Sequence, residues 1–145
     1  MRLWHYKLIE YLPNSQLVAQ WRELNSIFKK QDKHILINYI YEYSKEDLYV
    51  YSDLVIAEML ERGYKVNMNN YYNYFGKFDI IYLADYKPFS DHHNDRYLRQ
   101  CFYNLQEKYD RGQKDFNEER YNALYDFIIK DLEKAAEEML EEEGE

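Results

Sequence analysis

Apolar residues recur in this chain at the spacing of an α-helix, and that constrains the fold more than any other feature. Leu17, Trp21, Leu24 and Phe28 fall at i, i+4, i+7 and i+11. A stripe of that kind covers one side of a helix and needs a partner surface. The same spacing returns in Leu48, Tyr51, Val55 and Met59, in Leu98, Cys101 and Leu105, and in Tyr121, Leu124, Ile128, Leu132, Ala135 and Met139. No segment alternates long enough to demand a sheet, although residues 78–83 fit a short strand. The pattern predicts an all-α fold, a compact helical bundle preceded by an irregular segment over residues 1–12.

Helix boundaries follow from capping chemistry. The first helix is expected to start near Pro13 and Asn14, because Asn and Ser cap well and Pro suits the first turn. A second helical stretch is expected over His34–Tyr43. Ser44-Lys45-Glu46-Asp47 reads as a variant capping box for a third, with Gly63 as its C-terminal cap. Residues 64–89 are mixed, and Pro88 disfavours helix there. Ser90 or Asp91 is expected to open a helix ending near Gly112, and Asn117 the last one. The 145 residues contain no repeat and no Gly/Ser linker, so 1–145 reads as a single domain. Its stretch 131–145 reads as an acidic helix end or tail, frayed and solvated.

The formal net charge of −8 taken alone argues against nucleic acid, whose phosphates require Lys and Arg. Its distribution changes the reading. Asp131–Glu145 holds eight acids and one lysine, which leaves residues 1–130 at only −1. Residues 1–34 carry a net +3. Cys101 is the single cysteine, so no disulfide forms within the chain. With no signal pattern and no apolar run long enough to span a bilayer, the expected location is the cytoplasm. Tyrosine occurs 18 times and suits both a small core and a binding surface.

Around the first helix, Arg22, Ser26, Lys29 and Lys33 form a second row at i, i+4, i+7 and i+11. The row can track a phosphate backbone, and it also fits a plain solvated face. Glu23 stands beside it. Its helical neighbours Ala19, Gln20, Ser26 and Ile27 include no base, so an intrahelical ion pair does not explain it. A carboxylate so placed suits acid–base or electrostatic chemistry; an ordinary surface glutamate is the alternative. Asp91-His92-His93-Asn94-Asp95 invites a metal reading, but no second ligand cluster has zinc spacing, and the run reads as a polar helix start. Cys101 lies on an apolar stripe, which points to the core.

Residues Leu12-Pro13-Asn14-Ser15-Gln16-Leu17-Val18-Ala19-Gln20-Trp21-Arg22-Glu23-Leu24 resemble the first helix of the pyrimidine-dimer DNA glycosylases of the phage endonuclease V type. Lys33-His34 is similar to a Lys-His pair of that family. Ile56-Ala57-Glu58-Met59-Leu60-Glu61-Arg62-Gly63-Tyr64 resembles its Ala-Glu-x-Leu-x-Arg-Gly-aromatic helix end. Asp85-Tyr86-Lys87-Pro88 resembles its Asp-Tyr-x-Pro turn. The resemblance implies a compact, monomeric, all-helical enzyme without metal or other cofactor, whose N-terminal segment reaches the active site. It implies a glycosylase with abasic-site lyase activity, in which the N-terminal α-amine attacks the sugar C1′ and an imine forms. An α-amine ordinarily titrates near 7.7–8, so a useful fraction is neutral at working pH.

By the same resemblance, Met1 and Glu23 are the catalytic residues, with Glu23 stabilising positive charge and moving a proton. Arg2, Arg22, Lys29, Lys33 and His34 are the DNA-binding residues, Arg2 and Arg22 as phosphate clamps. The expected partner is double-stranded DNA carrying a damaged base or an abasic site, with no membrane involved. The chain departs from the family in several ways. Arg2 directly follows Met1, so retention of Met1 is expected. Ser15-Gln16 stands for a Gln-His pair, Ser26 for an arginine, and an acidic helix for a basic, aromatic C-terminus. Fewer cations imply weaker or more salt-sensitive DNA binding. The alternative reading is a non-catalytic helical module that keeps this fold and binds another protein.

Overall fold

The computed structural model describes residues 1–76 and 85–144, and the possible strand at 78–83 lies outside them. Among the described residues the architecture is all-α, with five α-helices: α1 (Asn14–Lys30), α2 (Lys45–Glu61), α3 (Asn69–Phe75), α4 (Asp95–Asp110) and α5 (Glu118–Glu143). Two short 3-10 segments, Tyr6–Tyr11 and Asn38–Glu42, precede α1 and α2. α1 packs on α2 and α3, the first 3-10 segment rests on α2 and α5, and α4 packs on α5.

The stripes read from the sequence form the core. Leu17, Trp21, Leu24 and Phe28 of α1 join Leu48, Tyr51, Val55 and Met59 of α2, Leu98, Cys101 and Leu105 of α4, and Leu124 and Ile128 of α5 in one buried cluster. Leu3, Leu8 and Leu12 enter it from the N-terminal segment. Fully burying one such leucine contributes about 1.5–3 kcal/mol. The first twelve residues are thus anchored by side chains although only Tyr6–Tyr11 is helical.

Gly63 and Gly112 end α2 and α4 as expected, each one position past the cap residue and at φ +85° and +81°. The Gly63 amide donates to Leu60 and the Tyr64 amide to the Met59 carbonyl, both at 3.0 Å. That paired closure needs a left-handed residue, which glycine supplies without a Cβ penalty. The last helix starts at Asn117 as expected, with the Asn117 side chain accepting from the Arg120 amide.

Several local expectations are corrected or made specific. Residues 34–43 hold no α-helix. The His34 carbonyl accepts from the Ile37 and Asn38 amides, and the Asn38 side chain accepts from the His34 amide, so residues 34–37 close as a turn and the helical stretch is a 3-10 segment over Asn38–Glu42. Asn94, not Ser90 or Asp91, caps α4, because Phe89 stands at φ +55° and the Asn94 side chain accepts from the Tyr97 amide. Ser44 makes no side-chain capping bond, and Asp47 turns inward to accept from the Phe89 amide at 2.7 Å and the Tyr86 hydroxyl at 2.5 Å. Residues 64–76 include α3, which carries Tyr71 and Phe75 into an aromatic cluster with Phe28 and Tyr49. α5 stays helical to Glu143, yet its stripe leaves the core before Met139, which is exposed.

Candidate active site at the N-terminal segment

Gln20 is the buried polar centre of α1. It occupies a position of the apolar stripe, between Leu17 and Leu24, and is 1% exposed. A buried primary amide must satisfy two donors and an acceptor. Here the Trp4 amide donates to Gln20 Oε1 at 2.8 Å, and Gln20 Nε2 donates to the Arg2 carbonyl at 3.1 Å and to Glu23 Oε2 at 3.0 Å. The single proton of the Tyr51 hydroxyl lies between the Trp4 carbonyl at 2.6 Å and Gln20 Oε1 at 3.0 Å.

Three further side chains hold the same segment. The Tyr97 hydroxyl donates to the Leu3 carbonyl at 2.6 Å, and His5 Nε2 donates to the His93 carbonyl at 2.9 Å. The Tyr6 amide donates to His93 Nδ1 at 3.2 Å, which leaves the ring proton on Nε2, facing the Tyr39 hydroxyl at 2.7 Å. Hydrogen bonds from α1, α2, α4 and the turn before α4 therefore hold a stretch that lacks secondary structure of its own. Burial pushes the His5 imidazole down to about 4 and His93 down to about 2, so both rings are neutral.

Glu23 is half-buried, and burial pushes its carboxyl above the usual carboxylate range. The Met1 ammonium, the Arg2 backbone amide, the Arg22 guanidinium and the Gln20 amide pull it the other way. The side chain thus lies within the field of the α-amine, in partial shelter from water, with the Gln20 amide donating to it. A carboxylate in that setting stabilises a cation formed at the amine and can accept a proton from a neighbouring atom. Among the described residues no cluster of His, Cys, Asp and Glu is arranged to hold a metal ion.

The residues marked from the sequence divide into two groups. The Arg2 peptide and Glu23 are joined through Gln20, and the Met1 ammonium acts on Glu23 through its charge. The Arg2 guanidinium is half-buried, 5.8 Å from the Trp4 ring centroid, and lowers the Tyr97 hydroxyl and Cys101 thiol that burial raises. It is the Arg2 backbone that meets Glu23. Arg22 and Lys29 are exposed on α1, and no ion pair engages either among the described residues. Lys33 and His34 lie past the end of α1, so they do not continue its row. Gln31, at φ 51°, turns the chain out of the helix. Lys33 approaches the Tyr41 ring at 5.9 Å, and His34 Nδ1 accepts from the Leu36 amide at 3.1 Å. Inside the row, the Ser26 hydroxyl donates to the Asp32 carboxylate, which places an acid among the cations.

Reasoning from the sequence missed Gln20, Tyr51, Tyr97, His5 and His93. Gln20 left a signal, an amide at an apolar stripe position; Tyr51 and His93 stood in patterns read as core and as a polar helix start, and His5 and Tyr97 left none. The Asp91–Asp95 run, read as a polar helix start, does supply the α4 cap, but His93 within it is buried against the N-terminal segment. Cys101 is buried, as expected. A groove of about 760 Å³ lies elsewhere, between Tyr6, Ile9, Leu54, Ala57 and Phe127, and the Lys7–Asp131 pair at 3.4 Å stands at its edge. It includes none of Met1, Arg2 or Glu23.

No helix among the described residues is long and apolar enough to cross a membrane. No curated protein and no solved structure matches the chain. The family model for pyrimidine dimer DNA glycosylase matches residues 1–72, a stretch that contains Met1, Gln20, Glu23 and the helix end at Arg62-Gly63. The match carries a DNA-repair glycosylase role in general. Through residues 1–72, the chain belongs to the pyrimidine dimer DNA glycosylase family.

Proposed function

We propose that this protein is a DNA glycosylase with abasic-site lyase activity, acting on pyrimidine dimers or a related damaged base in double-stranded DNA. The single observation that carries the reading is the half-buried Glu23 carboxylate joined through Gln20 to the Arg2 peptide, next to Met1, in the part of the chain that the family model covers. In the proposed reaction the neutral Met1 nitrogen attacks the sugar C1′ and the bond to the damaged base breaks, its electron pair leaving with the base. A proton leaves nitrogen and the C1′–O4′ bond breaks, its electron pair and a proton going to O4′, which gives an open-chain protonated imine whose charge Glu23 offsets. Removal of a C2′ proton then expels the 3′ phosphate by β-elimination and nicks the strand. The reaction requires that the Met1 amine be free.

Arg22 and Lys29, exposed and without an ion-pair partner among the described residues, are proposed to contact phosphates on the α1 side, with Lys33 and His34 extending the contact past the helix end. Arg2 is proposed to act chiefly through its peptide. The damaged nucleotide must leave the base stack for C1′ to be reached. The test is nicking of a duplex that carries one cyclobutane thymine dimer. Wild-type protein is expected to nick at the dimer, and Glu23→Gln to lose the activity while still binding. Binding without nicking at dimer and abasic site alike would overturn the enzymatic reading in favour of a non-catalytic module.

A further inference from the structure

We propose that Gln20 is the positioning residue of this site: its side-chain amide grips the Arg2 peptide and the Glu23 carboxylate together, and so fixes the Met1 amine against Glu23. The inference rests on the function proposed above and assigns a role to a residue that would not touch DNA. Its first support is orientation. The Trp4 amide donates to Oε1, so Nε2 must face the Arg2 carbonyl and Glu23. A flipped amide would set its oxygen against two other oxygens and its NH2 against an N–H. The amide is 1% exposed, so water cannot replace a missing partner.

The second support is that one nitrogen reaches both groups. Gln20 Nε2 donates to the Arg2 carbonyl at 3.1 Å and to Glu23 Oε2 at 3.0 Å. Met1 is one residue from Arg2, and its ammonium is among the groups acting on Glu23. One amide thus bridges the Arg2 peptide, one residue from the proposed nucleophile, and the Glu23 carboxylate. The charged and titratable groups acting on this carboxylate are the Met1 ammonium and Arg22, and the buried Tyr51 hydroxyl responds to its charge. Gln20 is a neutral donor among them, so it favours the ionised carboxylate without adding a charge that would compete with the imine.

Two variants separate this role from mere packing. Gln20→Met keeps volume and removes both donors; Gln20→Glu keeps an acceptor for the Trp4 amide and removes both donors. The Glu23 carboxyl is titrated by 13C NMR in DNA-free protein, and single-turnover cleavage of an abasic duplex is followed at saturating protein across pH. Both variants are expected to titrate Glu23 at higher pH than wild type. Cleavage is expected to slow by roughly tenfold or more, with the dissociation constant for the abasic duplex within about twofold of wild type. An unchanged Glu23 titration in both variants would overturn the proposal, as would a rate loss that only tracks the folded fraction. Should wild type itself fail to cleave, the lyase reading falls, and the Glu23 titration still decides whether Gln20 holds the carboxylate.

Discussion

The imidazole of His5 donates to the backbone carbonyl of His93 at 2.9 Å, joining positions 88 residues apart, and the two rings lie stacked with centroids 5.2 Å apart. Both are buried and neutral, His5 held down to about 4 and His93 to about 2 from an ordinary 6.5. Below pH 6.5 the unfolded chain therefore binds protons that the native state refuses. This stabilisation is complete above 6.5 and is lost as pH falls towards about 4 for His5 and about 2 for His93. Each ring contributes up to about 1.4 kcal/mol per pH unit within its window. Glu23, raised by burial, acts in the opposite sense and offsets part of the loss. The urea midpoint is expected to fall clearly between pH 7 and pH 5. His93→Gln is expected to be less stable at pH 7 and to show a shallower pH slope; an unchanged slope would contradict the buried-neutral assignment.

Arg62 fastens the end of α2 to the start of α1. Its guanidinium donates to Glu58 at 2.8 Å, to the Leu12 carbonyl at 2.7 Å, to Asn14 Oδ1 at 2.9 Å and to the Glu10 carbonyl at 3.1 Å. Four acceptors converge on one planar fork, a geometry that lysine cannot reproduce. Arg62→Ala is expected to lower unfolding free energy by roughly 2–4 kcal/mol, and Arg62→Lys to recover less than half of it. Urea denaturation measures both. Full recovery by lysine would mean that charge alone matters.

Gly63 has open space where a Cβ would stand, with nothing within 4 Å, so its φ of +85° is the only obstacle to a side chain. Gly63→Ala is expected to cost about 1–2 kcal/mol, with Gly63→Asn milder. Thermal unfolding of the two variants should rank them in that order.

The helices were largely legible in the sequence and the site only in part, for one physical reason. Periodic burial is local information: Leu17, Trp21, Leu24 and Phe28 announce their face within a dozen residues, and Gly63 and Gly112 mark where helices stop. Over residues 34–43 only Asn38–Glu42 is helical, as a 3-10 segment, because the Asn38 and His34 side chains bond the backbone before it, an outcome that helical periodicity does not register. At the site, Glu23 stood out because nothing nearby in the helix paired with it. The Arg2 peptide that shares the Gln20 amide with it, and the Met1 charge that acts on it, are about twenty positions away, and His93 and Tyr97 come from the turn before α4 and from α4 itself. Contacts of that separation exist only after folding. Gln20 was visible as an amide on an apolar stripe, but its role depends on which backbone runs past it.

Arg22 and Lys29 stand exposed on α1 while the acids cluster on the far part of α5. If phosphates meet α1, Arg22→Ala should weaken binding to an abasic-analogue duplex and reduce the slope of log affinity against log salt by about one. Charge-neutral replacement of Glu137, Glu138, Glu141 and Glu142 by Gln should strengthen binding at low salt and change it little at high salt. Fluorescence anisotropy across a salt series checks both. An Arg22→Ala slope equal to wild type would move the DNA contact to another face.

The most direct test of the account is borohydride trapping of protein that begins at a free Met1 on a duplex with one abasic site, with the adduct mapped by mass spectrometry. The account predicts a covalent adduct on the Met1 α-amine, formed by wild type and strongly reduced in Glu23→Gln. An adduct on a lysine, or none at all from folded protein that binds the duplex, would contradict it.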